Sequence, residues 1–274
     1  MSSDQKPESW GFGVTIMVIV GLIALISFGA FKLAGSARTH YDRLVIEKAA
    51  AEVKAKDAAA IESKRIGVLA ELEDLGPMPT SEDIAAGKIS YNSCLACHGP
   101  NAAGLPAPVA MALGGAPNLA GMPIWYSQLQ ITKIKDGIRG HKNHNAQLGA
   151  MKAMVSILDD KKIFQVAGYM QSLEKVKPQH SLSGDAQKGK ALFASCIACH
   201  REKGEGNPSR DVRAAPLNNL PDWYIVKQLK EFKAGLRGTH PKDKGGAAMQ
   251  AQAVSIKTEQ DMIDIAEYIK TLDK

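Results

Sequence analysis

Apolar and polar positions divide the chain into unlike regions. Residues 1–11 form a short polar tail. From Phe12 to Phe31, twenty consecutive positions carry no charge, the length that crosses a bilayer core as one helix. Trp10 precedes this run and Lys32 follows it, as at a membrane interface. Residues 12–35 are therefore expected to anchor the chain, with a single N-terminal helix in the membrane. The rival reading is a cleaved leader, whose apolar run is normally shorter and follows a basic start; Gly35-Ser36-Ala37 is a weak cleavage signal. Residues 36–80 read as a helical stalk and hinge. They are rich in Ala, Lys and Glu, with Leu44, Val53, Ile61, Val68, Leu72 and Leu75 on an imperfect apolar stripe. Gly76-Pro77-Met78-Pro79-Thr80 ends the helical pattern.

Beyond residue 80 the apolar spacing is helical and alternation of the strand kind is nearly absent. Ser81-Glu82-Asp83 resembles a helix start with acidic first-turn residues. Further helices are predicted over 124–134, 159–173 and 223–234. The stretch 99–119, rich in Gly, Ala and Pro, is predicted as a loop, and so is 137–150, which holds His141 and His144. The fold class expected is all-α.

The pattern also repeats. Gly87-Lys88 recurs as Gly189-Lys190, Trp125-Tyr126 as Trp223-Tyr224, and Gly137-Ile138-Arg139-Gly140 as Gly235-Leu236-Arg237-Gly238. Ala116-Pro117-Asn118-Leu119 is matched to Ala215-Pro216-Leu217-Asn218, and Val166-Ala167-Gly168-Tyr169 to Ile265-Ala266-Glu267-Tyr268. Repeats of this kind are copies of one structural unit. The division expected is a first domain over 81–177, a linker over 178–183 and a second domain over 184–274.

The four cysteines change the picture most. Cys94-Leu95-Ala96-Cys97-His98 recurs as Cys196-Ile197-Ala198-Cys199-His200, and these two motifs use every cysteine of the chain. Cys-x-x-Cys-His is the attachment signature of a c-type haem. Two thiols one turn apart form thioethers to one porphyrin, and the adjacent His binds the iron. A structural zinc site would need two cysteine pairs converging on one metal. A thioredoxin-like motif would need alternating strands and helices. Neither fits, so two covalently attached haem c groups are expected, one per repeat. Covalent haem and fully committed cysteines suit an oxidising compartment outside the cytoplasm.

Each iron needs a second ligand. Met151 and Met249 occupy equivalent positions before the last helix of each repeat. Met154 competes in the first repeat, and His141, His144 and His240 are the competing nitrogen donors. Arg139 and Arg237 are candidates to pair with haem propionates, with a solvated surface position as the alternative.

The net charge is +6, and from residue 81 onward there are 25 basic and 18 acidic side chains. That suits encounter with acidic protein surfaces. The basic residues are scattered among acids, and no nucleic-acid partner is expected. Lys227, Lys230 and Lys233 lie on one predicted helix; a solvated face is the default reading and a docking patch the second.

Taken together, residues 81–274 resemble the cytochrome c4 family and the dihaem modules attached to respiratory oxidases. The residues that carry the likeness are the two haem motifs, Ala-Pro-Asn-Leu, Trp-Tyr…Gln-Leu, Gly-x-Arg and the late Met. The resemblance implies two tandem class I cytochrome c domains behind the transmembrane helix and stalk. It implies Cys94, Cys97, Cys196 and Cys199 as haem attachments, His98 and His200 as proximal ligands, and Met151 and Met249 as distal ones. It also implies a membrane-anchored carrier of single electrons in a respiratory chain, from a quinol-oxidising cytochrome bc complex to a terminal haem–copper oxidase. The alternative is a permanent haem subunit of a respiratory complex or periplasmic dehydrogenase. A dihaem peroxidase, which needs a five-coordinate iron, is disfavoured, and the chain is not expected to be an enzyme. The localisation expected is the bacterial inner membrane with the haem domains in the periplasm. Flanking charge opposes this: Lys6 alone precedes the span, while Lys32, Arg38, Arg43 and Lys48 follow it. Large domains are exported regardless of such charge. The soluble members lack the anchor and stalk, and Gly121-Met122-Pro123 and Asn218-Asn219-Leu220 replace the Gly-Gln of the family pattern.

Overall fold

The computed structural model describes residues 75–106, 109, 115–142 and 146–272. The expected anchor and nearly all of the expected stalk lie outside the described residues. Among the described residues no helix is long and apolar enough to cross a membrane.

The described residues form two helical sets of the same order. The first comprises α1 (Ser81–Tyr91), α2 (Leu95–His98), α3 (Ile124–Lys135), α4 (Ala146–Ser156) and α5 (Asp160–Ser172). The second comprises α6 (Ala186–Phe193), α7 (Ile197–His200), α8 (Asp222–Lys233), α9 (Lys244–Ser255) and α10 (Glu259–Lys270). Local chemistry starts these helices. Thr80 caps α1 in a reciprocal box with Asp83, and Thr258 does the same for α10 with Asp261. Asp159, Asp185 and Asp243 cap α5, α6 and α9. The cap of α1 is therefore Thr80, one residue before the expected start, because its hydroxyl reaches the Asp83 amide at 3.1 Å. The loop expected over 137–150 is shorter than the sequence suggested, since α4 begins at Ala146; its Ala, Leu and Met residues are good helix formers.

In each set the first helix packs across the last. Gly87 lets α1 approach the backbone of Gln165 on α5, and Gly189 lets α6 approach Asp264 on α10. The ring centroids of Tyr91 and Tyr169 sit 5.3 Å apart beside the first crossing, and those of Phe193 and Tyr268 5.4 Å apart beside the second. Pro79 is buried against Gly168, so the segment entering the first set is pinned to α5.

Two apolar cores follow. Tyr91, Ile124, Ile134, Ile163, Val166 and Met170 centre the first, and Phe193, Trp223, Leu229, Phe232, Ile265 and Ile269 the second. Met122 belongs by sequence to the first repeat but is buried in the second core, where Leu105 and Tyr126 also pack. Burying such a side chain favours the docked arrangement by roughly 1.5–3 kcal/mol.

Candidate functional site

Each Cys-x-x-Cys-His motif forms one helical turn that ends at its histidine. Cys94 and Cys196 precede α2 and α7 and are half-buried, while Cys97 and Cys199 are exposed. The turn places both thiols of a motif on one side, with the His following at its end. His98 and His200 are each 8 % exposed. His98 Nδ1 donates to the Pro117 carbonyl at 3.1 Å and His200 Nδ1 to the Ala215 carbonyl at 2.8 Å. A carbonyl can only accept, so Nδ1 carries the proton and Nε2 keeps its lone pair. Burial holds both imidazoles below the usual histidine pKa, against the opposing pull of those carbonyls. Neutral, oriented imidazole with a free Nε2 is the form an iron requires.

The same backbone bonds correct the repeat alignment. Leu119 N donates to Ala102 O as Leu217 N donates to Gly204 O, and Ala120 and Asn218 repeat the pairing. Leu119 is therefore the counterpart of Leu217, not of Asn218, and the match drawn from the Ala-Pro letters is shifted by one residue. Hydrogen-bond geometry, rather than side-chain identity, is what these loops share.

Met151 lies on α4 and packs against the first core, and Met249 lies on α9 and packs against the second. Met154 is 44 % exposed. His141 and His240 meet one another, edge to face with ring centroids 5.0 Å apart, and His240 Nδ1 accepts from Lys242 N at 3.1 Å. His144 lies outside the described residues.

Between the two sets runs a polar seam that sequence reasoning did not find. Arg139 donates to Gln130 at 2.9 Å, to the Tyr224 phenol at 2.8 Å and to Gln228 at 3.2 Å. Arg237 mirrors it, donating to Gln228 and, at 3.0 Å, to Gln130. Asn219 Nδ2 donates to Ala120 O at 2.7 Å, and Asn118 Nδ2 to Val176 O at 2.8 Å and to Asn219 Oδ1 at 3.3 Å. Lys133 of α3 pairs with Asp243, the cap of α9, at 2.6 Å. The linker is held as well: Asp222, fully buried, accepts from Ser181 N at 3.0 Å and Leu182 N at 2.8 Å and pairs with Lys270 at 3.2 Å. Apart from Arg139–Gln130 and Arg237–Gln228, nine positions apart within one domain, these partners lie 40 or more positions away, so local pattern carries no signal for them.

The lysines singled out on α8 have internal partners. Lys230 pairs with Glu259 at 2.5 Å, and Lys233 donates to the carbonyls of Ile256 and Lys257. They tie α8 to the first residue of α10 and to the turn before it, which weakens the docking-patch reading in favour of a structural one.

The donor set fits haem. Two free imidazole nitrogens stand beside two cysteine pairs. The Trp223 indole N–H is buried without a hydrogen-bond partner among the described residues, a cost of about 1–3 kcal/mol unless an acceptor meets it. Two neighbouring guanidinium groups at the seam add donors of the kind that hold carboxylates.

Comparison with known proteins agrees with this chemistry. The cytochrome c family model matches residues 84–174 and again 186–273. The thiosulfate dehydrogenase electron acceptor of Stutzerimonas stutzeri is 25% identical over 191 residues, covering 64% of this chain and 77% of that protein. The cbb3-type cytochrome c oxidase subunit CcoP of Rubrivivax gelatinosus is 31% identical over 189 residues, 68% of this chain and 53% of its own length. The crystal structure of reduced recombinant cytochrome c4 from Pseudomonas stutzeri superposes with a TM-score of 0.52 at 25% identity, covering 68% of this chain and 96% of that one.

Proposed function

Because the chain belongs to the cytochrome c family, as a dihaem member of the c4 type with two covalent haem c groups, we propose that it carries single electrons in a respiratory chain. In this reading residues 12–35 tether it to the bacterial inner membrane and both haem domains lie in the periplasm. Its donor is a quinol-oxidising cytochrome bc complex and its acceptor a terminal haem–copper oxidase.

The observation that carries the reading is the pair of buried, Nδ1-tied histidines, each one residue after its cysteine pair. A haem bound at each motif supplies reversible one-electron chemistry at its iron. Cys94 and Cys97, and Cys196 and Cys199, hold the two groups through thioethers. His98 and His200 would present Nε2 to the irons, and Met151 and Met249 would supply the sulfur. The packing of both methionines against the cores supports this choice over the exposed Met154. His141 and His240, occupied with each other, are poorer candidates. With His98, Met151, His200 and Met249 all engaged, no ligand position would remain for a substrate, and the chain would act as a carrier rather than an enzyme. Arg139, Arg237 and Trp223 supply donors for the propionates, and the seam keeps the two haem domains in one orientation for transfer between them.

A second reading, a permanent haem subunit of a larger complex, is favoured by the relatives named as an oxidase subunit and as an electron acceptor of a dehydrogenase. A redox titration of the holoprotein with near-infrared magnetic circular dichroism tests the first. Two positive-potential waves, both with methionine–histidine signatures, are expected. A negative wave or a five-coordinate iron overturns it. Stable co-purification with a large complex in mild detergent decides for the second.

A further inference from the structure

The seam contains one contact that breaks the symmetry of the repeat. Lys133, on α3 of the first domain, donates to Asp243 Oδ1 of the second at 2.6 Å; the lysine side chain is 19% exposed and the aspartate 4%. Asp243 is also the N-cap of α9. The same Oδ1 accepts from Gly246 N at 3.0 Å, and the Asp243 carbonyl accepts from Ala247 N at 2.8 Å. Gly246 has no room for a Cβ beside that carboxylate, and Gly238 in turn has none beside the Gly246 carbonyl. The loop after Arg237 is therefore seated on the first turn of α9. Asp243 N donates to His240 O at 2.8 Å, closing the tight turn that delivers the cap. Met249 follows the cap by six residues, about 9 Å along the helix.

At the offset that relates Met151 to Met249, the counterparts of Lys133 and Asp243 are Glu231 and Asn145. An acid and an amide form no ion pair. The first domain thus braces the methionine helix of the second through an ion pair that the residue types at the mirrored positions do not form.

We propose that Lys133 is a positioning residue for Met249, holding through Asp243 the start of the helix that carries the second haem's distal ligand. The inference rests on the reading of Met249 as that ligand. A buried carboxylate with its cation removed is left uncompensated, and the cap it forms then loses its fixed place. The bond between Met249 and iron becomes easier to open, while the one made by Met151 is untouched. One iron of the pair is in this way sensitive to how the two domains are docked.

Cyanide binding to the ferric holoprotein reads this directly, because cyanide enters only when methionine leaves. Lys133→Gln is expected to speed one of the two binding phases about fivefold and leave the other unchanged, and Lys133→Arg to restore it. Asp243→Asn, which keeps a capping side chain, is expected to give the same acceleration and to add nothing to Lys133→Gln. In a Met249→Ala background the Lys133 substitution then has no effect, whereas in a Met151→Ala background it keeps it. Unchanged phases, or both phases quickened alike, overturn the proposal. Should Met249→Ala leave both iron–sulfur charge-transfer bands intact, the ligand assignment itself fails and the proposal falls with it.

Discussion

Gly87 lies directly against the backbone carbonyl of Gln165, with no room for a Cβ between them. Gly189 and Asp264 repeat this contact in the second domain. Backbone meets backbone there, so neither partner can move aside as a flexible side chain would. Gly87→Ala and Gly189→Ala are each expected to cost about 1–3 kcal/mol by overpacking. Thermal unfolding of the holoprotein measures it, and an alanine variant melting with the wild type would show that the helices cross elsewhere.

The two methionines of α4 separate by burial. Met151 packs against the core and Met154 is 44 % exposed. Met151→Ala is expected to abolish the first haem's near-infrared iron–sulfur band, and Met154→Ala to leave it at full intensity. The reverse pattern would move the distal ligand to Met154.

Acid is expected to loosen the crossing of α6 and α10. The hydrogen bond from Lys188 is the largest cause of an Asp261 pKa lowered to about 2, with Thr258 adding to it. The unfolded value is about 3.9. A lowered carboxylate contributes stability above its unfolded pKa and loses it as pH falls through the folded one. The loss therefore spans roughly pH 4 to 2. The difference in melting temperature between wild type and Lys188→Met is expected to shrink across that window. A difference that stays constant would remove the pair from the acid response.

Asn219 bridges the domains at the Ala120 carbonyl and at Asn118. Asn219→Ala leaves the Ala120 carbonyl unpaired, at about 1–3 kcal/mol, while Asn118 keeps its bond to the Val176 carbonyl. Faster proteolytic cleavage of the linker over 178–183 is expected, with both haem spectra unchanged. Wild-type resistance would mean that Asp222 and the apolar contacts of Met122 hold the seam without it.

Covalent chemistry and helix capping are local and written in the sequence itself, although the cap of α1 lies one residue earlier than the letters suggest and α4 starts inside the expected loop. A Cys-x-x-Cys-His turn needs nothing beyond five consecutive residues, and Asp159 and Thr258 cap helices through bonds three residues long. The repeat of glycine, tyrosine and methionine positions was legible for a related reason: each copy must solve the same packing problem around its own haem. Where the copies share only backbone hydrogen bonds, letters misled, and Leu119 was aligned one residue away from Leu217. The seam belongs to tertiary structure alone. Lys133 and Asp243 stand 110 positions apart, Arg139 and Tyr224 stand 85 apart, and neither pair shares a helix face or a spacing. Only the docking of two folded domains brings those charges within reach of each other, and docking is set by buried surfaces that no local pattern encodes.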